Sequence, residues 1–126
     1  MVHPSLLINA NDRLHWSRKM ERTAALRMLG RNLGQQLDPA AGRVLVVYTL
    51  GMLDRQRRDP ANWQPSAKAW TDGLVDAGVF PDDSDAHVEG PILGIGELSP
   101  EASRRPTSSR RIQVTVTLTA PREVGP

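Results

Sequence analysis

The segment Arg43–Leu50, RVLVVYTL, limits the possible folds more than any other part of the chain. It is rich in β-branched and apolar residues, which predicts a buried strand. Arg111–Thr119 predicts a second strand, because apolar side chains at positions 112, 114, 116 and 118 alternate with polar ones. A chain of 126 residues is one domain on length alone. We therefore expect these strands to share a single modest core.

Two segments have helical spacing of apolar residues. Trp16–Leu37 predicts a helix whose second half is weakened by Gly30 and Gly34. A second helix is predicted to begin near Pro65, which suits a first helical turn, and to end near Gly78.

Two further strands complete the expected order β-α-β-α-β-β. They are Ser5–Ala10 and His87–Ile95, the latter broken by Gly90-Pro91. We predict a two-layer α+β fold with two helices packed on a small mixed four-stranded sheet. Residues 1–120 form the predicted domain, and 121–126 a frayed tail.

Composition excludes several classes of site. The chain has no cysteine, which excludes disulfides, thiolate zinc sites and cysteine nucleophiles. No apolar run approaches the roughly 18 residues of a membrane span, and the first residues lack the pattern of a signal peptide. We expect a cytoplasmic protein. The chain has only one Phe and one Tyr, so its apolar core is small. A small core gains stability from association with a second copy, and we expect a homodimer.

Charge is segregated along the sequence. Fourteen of the sixteen basic residues are Arg, and none lies between Lys68 and Arg104. That interval holds eight acids: Asp72, Asp76, Asp82, Asp83, Asp85, Glu89, Glu97 and Glu101. An acidic centre with basic flanks is what a metal-dependent enzyme acting on a polyanion requires, although ordinary solvated faces give the same pattern.

The acids of two loops are candidate magnesium ligands. Mg²⁺ prefers oxygen ligands and usually takes one or two protein carboxylates together with substrate phosphate. Asp59, before the second helix, and Asp83, after it, form the best pair, with Asp82 and Asp85 next. The alternative is that Asp59 pairs with a neighbouring arginine and that the other three form a solvated turn. Because the two loops flank a helix, the connections must fold back for a cation to be shared.

Several basic residues are candidates for contact with nucleic acid. Lys68 could stabilise charge on a scissile phosphate, or it could form only a surface ion pair with Asp72. The predicted DNA-binding residues are Arg13, His15, Arg57 and Arg58. Trp16 offers a stacking face, but a Trp at a helix start is more often a core residue.

A set of motifs in fixed order resembles the RusA-like Holliday-junction resolvases. The set comprises RRDPANW at 57–63, Lys68, DGLVDAGV at 72–79 and PDD at 81–83, within a similarity that spans roughly residues 43–90. The resemblance implies a homodimeric endodeoxyribonuclease that uses Mg²⁺, or Mn²⁺ as a substitute, to resolve four-way DNA junctions in recombination and repair. By position, Asp59 and Asp83 would be metal ligands and Lys68 a phosphate-facing cation.

The chain departs from that family's pattern at two points. Ala61 occupies the place of a second loop aspartate, and the interval from Asn62 to Lys68 is longer. The first departure supports an alternative, a non-catalytic module that binds branched DNA on the same scaffold. A small structural or regulatory protein with merely solvated acids is the third possibility.

Overall fold

The computed structural model describes residues 1–10 and 15–121. Within them, two helices pack beside a three-stranded mixed sheet. Helix α1 spans Trp16–Gly34 and helix α2 spans Gln64–Asp76. The strands are β1 at Val44–Gly51, β2 at Val88–Ile95 and β3 at Gln113–Thr119. The predicted α+β class is confirmed.

Strand β1 lies in the centre of the sheet, whose order is β2-β1-β3. It runs parallel to β2, with Val44 opposite Val88, and antiparallel to β3, with Tyr48 opposite Val116. The parallel pair requires a crossover, and α2 supplies it. The predicted strand at residues 43–50 is confirmed within one residue at each end, and α2 connects the two parallel neighbours along the chain.

The predicted strand at Ser5–Ala10, the first in the expected order, is wrong. Pro4–Leu6 forms a short 3-10 helix instead. The backbone N–H of Ile8 donates to Ser66 Oγ at 2.7 Å, and that hydroxyl donates to the Ile8 carbonyl at 3.1 Å. Both polar groups of Ile8 are thus bonded to α2, so neither can join a strand ladder. Leu7 and Ile8 are both buried, which a half-buried strand with alternating faces would not allow.

Glycines in both helices allow α1 and α2 to approach closely. A Cβ at Gly30 would collide with the carbonyl oxygen of Trp70, and a Cβ at Gly73 would collide with that of Arg27. The helix backbones therefore touch, and no side chain separates them. Helix α1 ends at Gly34 and not at the predicted Leu37, because the following residues form a tighter turn with i→i+3 hydrogen bonds.

The core between α2 and the sheet centres on Tyr48 and Trp70, which are fully buried and have ring centroids 5.2 Å apart. The Tyr48 hydroxyl lies 3.0 Å from Thr71 Oγ1, which donates its own proton to the Ala67 carbonyl. Tyr48 is therefore the donor to Thr71. Burial raises the pKa of the Tyr48 phenol far above its usual value. Helix α2 is thus fixed to the central strand by packing and by a hydrogen-bond chain.

None of the helices among the described residues is both long and apolar enough to cross a membrane.

Candidate cation site formed by Lys68, Asp72 and Asp83

Helix α2 places Lys68 and Asp72 on the same outward face, because residues four apart on a helix are neighbours. Lys68 Nζ donates to Asp72 Oδ1 at 2.7 Å. The start of this helix is set by Pro65 in its first turn and by a 3-10 helix, Pro60–Trp63, that leads into it. The ion pair between Lys68 and Asp72, one of the two alternatives that the sequence left open for Lys68, is present.

The chain after α2 folds back along the helix and brings Asp83 to the same ammonium group. Gly78 adopts a positive φ of 81°, which reverses the chain, and Val79 and Phe80 are buried. Asp83 Oδ2 then lies 2.7 Å from Lys68 Nζ. Lys68, Asp72 and Asp83, which we call the Lys68 cluster, thus join two carboxylates from separate segments through one cation. The connection after α2 therefore folds back at Asp83, as a cation shared across this helix requires.

Electrostatics within the Lys68 cluster favour the charged forms. The hydrogen bonds that Lys68 donates to Asp72 and to Asp83 raise the pKa of the Lys68 ammonium. The hydrogen bond from Lys68 lowers the pKa of the Asp83 carboxyl below its ordinary value. The three side chains remain 27–58% exposed, so a ligand in solution can reach them. The cluster is therefore an open site in which Lys68 and Asp83 stabilise each other's charged form.

Asp59 has a different local role. One of its oxygens accepts the Ala61 backbone N–H at 3.0 Å and caps the 3-10 helix that precedes α2. The residue is exposed, and its carboxylate keeps a second oxygen for another ligand. The structure brings Asp83 and Lys68 together, whereas Asp59 is held at the start of the loop-to-helix connection.

Asp82 and Asp85 are engaged away from Lys68. Asp82 accepts the Ser84 N–H at 2.8 Å, and the Ser84 hydrogen bonds lower the pKa of the Asp82 carboxyl. Asp85 Oδ1 lies 3.1 Å from Arg43 Nη2, and the Asp85 side chain is 96% exposed. These two acids shape the turn that presents Asp83, which lies between them in the sequence.

The predicted DNA contacts fall at different places. Arg57 is exposed, whereas the Arg58 guanidinium donates to Asp54 Oδ1 at 2.7 Å and to the Gln56 carbonyl at 3.0 Å, which ties it to its own loop. His15 is exposed and accepts the Ser17 N–H through Nδ1, so its Nε2 carries the proton in the neutral ring and points a donor elsewhere. Arg13 lies outside the described residues.

Asp72 and Asp83 together offer the number of carboxylates that a Mg²⁺ ion usually takes from a protein. Over 1–10 and 15–121, no group of three or more His, Asp or Glu side chains is placed to hold a metal ion. Asp72 Oδ1 and Asp83 Oδ2 each lie 2.7 Å from Lys68 Nζ, so these two oxygens lie within twice that distance of each other. Mg²⁺ characteristically takes one or two carboxylates and completes its shell with water and phosphate. The sequence alone indicates Asp72 only as a possible ion-pair partner of Lys68, and the four-residue spacing between them is the signal that places Asp72 in the cluster.

Comparisons with family models, with curated proteins and with solved structures find no match to this chain.

Proposed function

We propose that this protein is a Mg²⁺-dependent endodeoxyribonuclease that resolves four-way DNA junctions, as the motif resemblance implies. The observation that carries the proposal is the convergence of Asp72 and Asp83, from separate segments, on one cationic group. Carboxylates that converge from separate segments and stay open to solvent are the ligands by which a protein can hold the divalent ion used in phosphodiester hydrolysis.

The roles of the residues follow from their chemistry. Asp72 and Asp83 would hold the divalent ion. Asp59 would be a further ligand if its loop approaches the loop that holds Asp83. When bound, Mg²⁺ supplies Lewis-acid activation of the phosphodiester and of the attacking water. Lys68 is on a flexible four-carbon stem, so its ammonium can leave the carboxylates and donate to a phosphate oxygen. The same residue would thus offset part of the negative charge of the site without substrate and contact the substrate when it arrives.

Exposed basic residues elsewhere on the protein suit a polyanionic substrate. Arg57 and His15 present donors at exposed positions, and arginine can contact a phosphate with two parallel hydrogen bonds. We further propose that the protein acts as a homodimer, since two symmetric protomers can cut two strands of a junction, one each.

A cleavage assay tests this proposal. A labelled four-way junction is incubated with purified protein and Mg²⁺ or Mn²⁺, and the products are separated by size. Asp83→Asn and Asp72→Asn are expected to abolish cleavage. Asp76→Asn is the matched control, because it makes the same charge change one helical turn beyond Asp72, where the carboxylate binds Arg27 at 2.6 Å. Cleavage that survives Asp83→Asn would contradict the assignment.

A second candidate function is a non-catalytic module that binds branched DNA. The observation that favours it is Ala61, which offers no carboxylate and whose N–H already occupies an oxygen of Asp59. This candidate predicts junction binding with a steep salt dependence and no nicking under either metal. Gain of cleavage in Ala61→Asp, from a protein that otherwise does not cut, would support the module over the enzyme.

A further inference from the structure

We infer that the outward face of α1 binds unpaired bases of DNA by stacking on Trp16. The inference deepens the proposed function and rests on it for the choice of DNA as the ligand. Trp16 is 67% exposed and Met20, one turn later, is 61% exposed. Trp16 is therefore not the core residue that its position at a helix start suggested.

Trp16 and Met20 line a shallow groove of about 430 Å³ on the surface of α1. Its other lining residues are Lys19, Thr23, Ala24 and Arg27. The groove thus combines an indole face and a thioether with a lysine at its margin. A nucleobase is flat, has a π-face whatever its identity, and is attached to a phosphate, so it matches both parts of this surface.

Charge decides between possible occupants of this face. Helix α1 has five basic residues and a single acid, Glu21; the basic residues are Arg18, Lys19, Arg22, Arg27 and Arg31. Arg27 is neutralised by Asp76, but among the described residues no carboxylate pairs with Lys19. A second copy of α1 placed against this face would bring like charges together, whereas a polyanion would be attracted. The face therefore fits a nucleic-acid strand better than it fits itself.

The ring of His15 adds to the same platform. Its centroid lies 6.0 Å from that of Trp16, with an angle of 33° between the planes. Because Nδ1 of His15 accepts the Ser17 N–H that caps α1, the orientation of this ring is fixed by the helix start. A base on Trp16 would then have an ordered aromatic neighbour beside it.

The test measures binding of a short labelled oligothymidylate by fluorescence anisotropy in EDTA, so that no cleavage occurs. Trp16→Ala is expected to weaken binding roughly 5- to 150-fold, the range for loss of one stacked base. Trp16→Phe should retain most of the affinity, because it keeps a stacking ring. Met28→Ala is the matched control: Met28 is 52% exposed on the same helix but outside the groove, and it should bind as the unmodified protein does.

A second variant tests the phosphate contact separately. Lys19→Gln is expected to reduce the slope of log affinity against log salt by about one. Because Trp16 and Lys19 are exposed, both variants should unfold at the temperature of the unmodified protein, and circular dichroism checks this.

Unchanged affinity in Trp16→Ala would overturn the inference. A dimer in sedimentation that Trp16→Ala converts to monomer would also overturn it, since this face would then join two copies. The junction-cleavage assay separates the two proposals. If no cleavage is found but Trp16-dependent binding persists, only the proposed function fails; if cleavage is found and Trp16→Ala binds normally, only this inference fails.

Discussion

Replacing Lys68 with methionine removes the ammonium that separates Asp72 from Asp83 and keeps the length of the side chain. One oxygen of Asp72 and one of Asp83 each lie 2.7 Å from Nζ, so these two oxygens are separated by at most twice that distance, about 5.4 Å. Two negative charges at that distance repel by about 3 kcal/mol at an effective dielectric constant of about 20. Their side chains are 27% and 41% exposed, and solvent screening reduces the expected loss of stability to about 1 kcal/mol.

The loss should depend on pH in a defined direction. In the unmodified protein, Lys68 lowers the pKa of Asp83, so this carboxyl contributes stability above its ordinary pKa of 3.8, and that contribution is lost as pH falls below it. In Lys68→Met, the neighbouring carboxylate Asp72 instead raises the pKa of Asp83. The difference in free energy of unfolding is therefore greatest at neutral pH, shrinks as pH falls through the raised pKa of Asp83 in Lys68→Met, and disappears only below the lowered pKa of Asp83 in the unmodified protein.

Urea unfolding at a series of pH values measures this difference, with and without Mn²⁺. Lys19→Met is the matched control, because Lys19 and Lys68 are the two lysines of the chain and Lys19 makes no ion pair among the described residues. Mn²⁺ should restore stability in Lys68→Met more than in the control, since the carboxylates are then free to bind it. Equal losses in the two variants, a loss that persists at acid pH, or the absence of a Mn²⁺ effect would refute the reasoning.

Three further substitutions test the framework that holds the cluster. Gly73→Ala should destabilise the protein by about 1–3 kcal/mol in thermal or urea unfolding, because the new Cβ meets the backbone of α1, whereas Gly42→Ala, which meets open space, should be neutral or slightly stabilising. Ser66→Ala should cost about 1–3 kcal/mol by leaving the buried polar groups of Ile8 unbonded, and hydrogen exchange at the Ile8 amide should accelerate; unchanged exchange would contradict this. Tyr48→Phe should cost about 1 kcal/mol, because the phenol donates one hydrogen bond within the core; a neutral result would show that this bond contributes nothing.

The regular elements were predictable where one segment's own pattern determines them. The alternation at 111–119 predicted β3, and Pro65 with Gly78 predicted the limits of α2 within two residues. Residues 5–10 have a pattern that also suits a strand, but a single hydroxyl 58 residues later, on Ser66, binds the backbone of Ile8. Such a competitor is not visible in the local sequence.

The candidate site was predictable in its members more than in its arrangement. The pair of Lys68 and Asp72 follows from helical spacing. The approach of Asp83 depends on the reversal at Gly78 and on the burial of Phe80, which are properties of the packed chain. Residue type and resemblance indicate Asp59 and Asp83 as metal ligands, but neither criterion contains a distance.

The backbone contact between α1 and α2 at Gly30 and Gly73 affects how a DNA strand could bind both helices. Backbone against backbone offers no rotamers that could change, so the spacing between the helices cannot adjust by small side-chain movements. The distance between Trp16 on one helix and Lys68 on the other is therefore fixed. A nucleotide bound at Trp16 would determine which phosphate of the same DNA strand lies at Lys68.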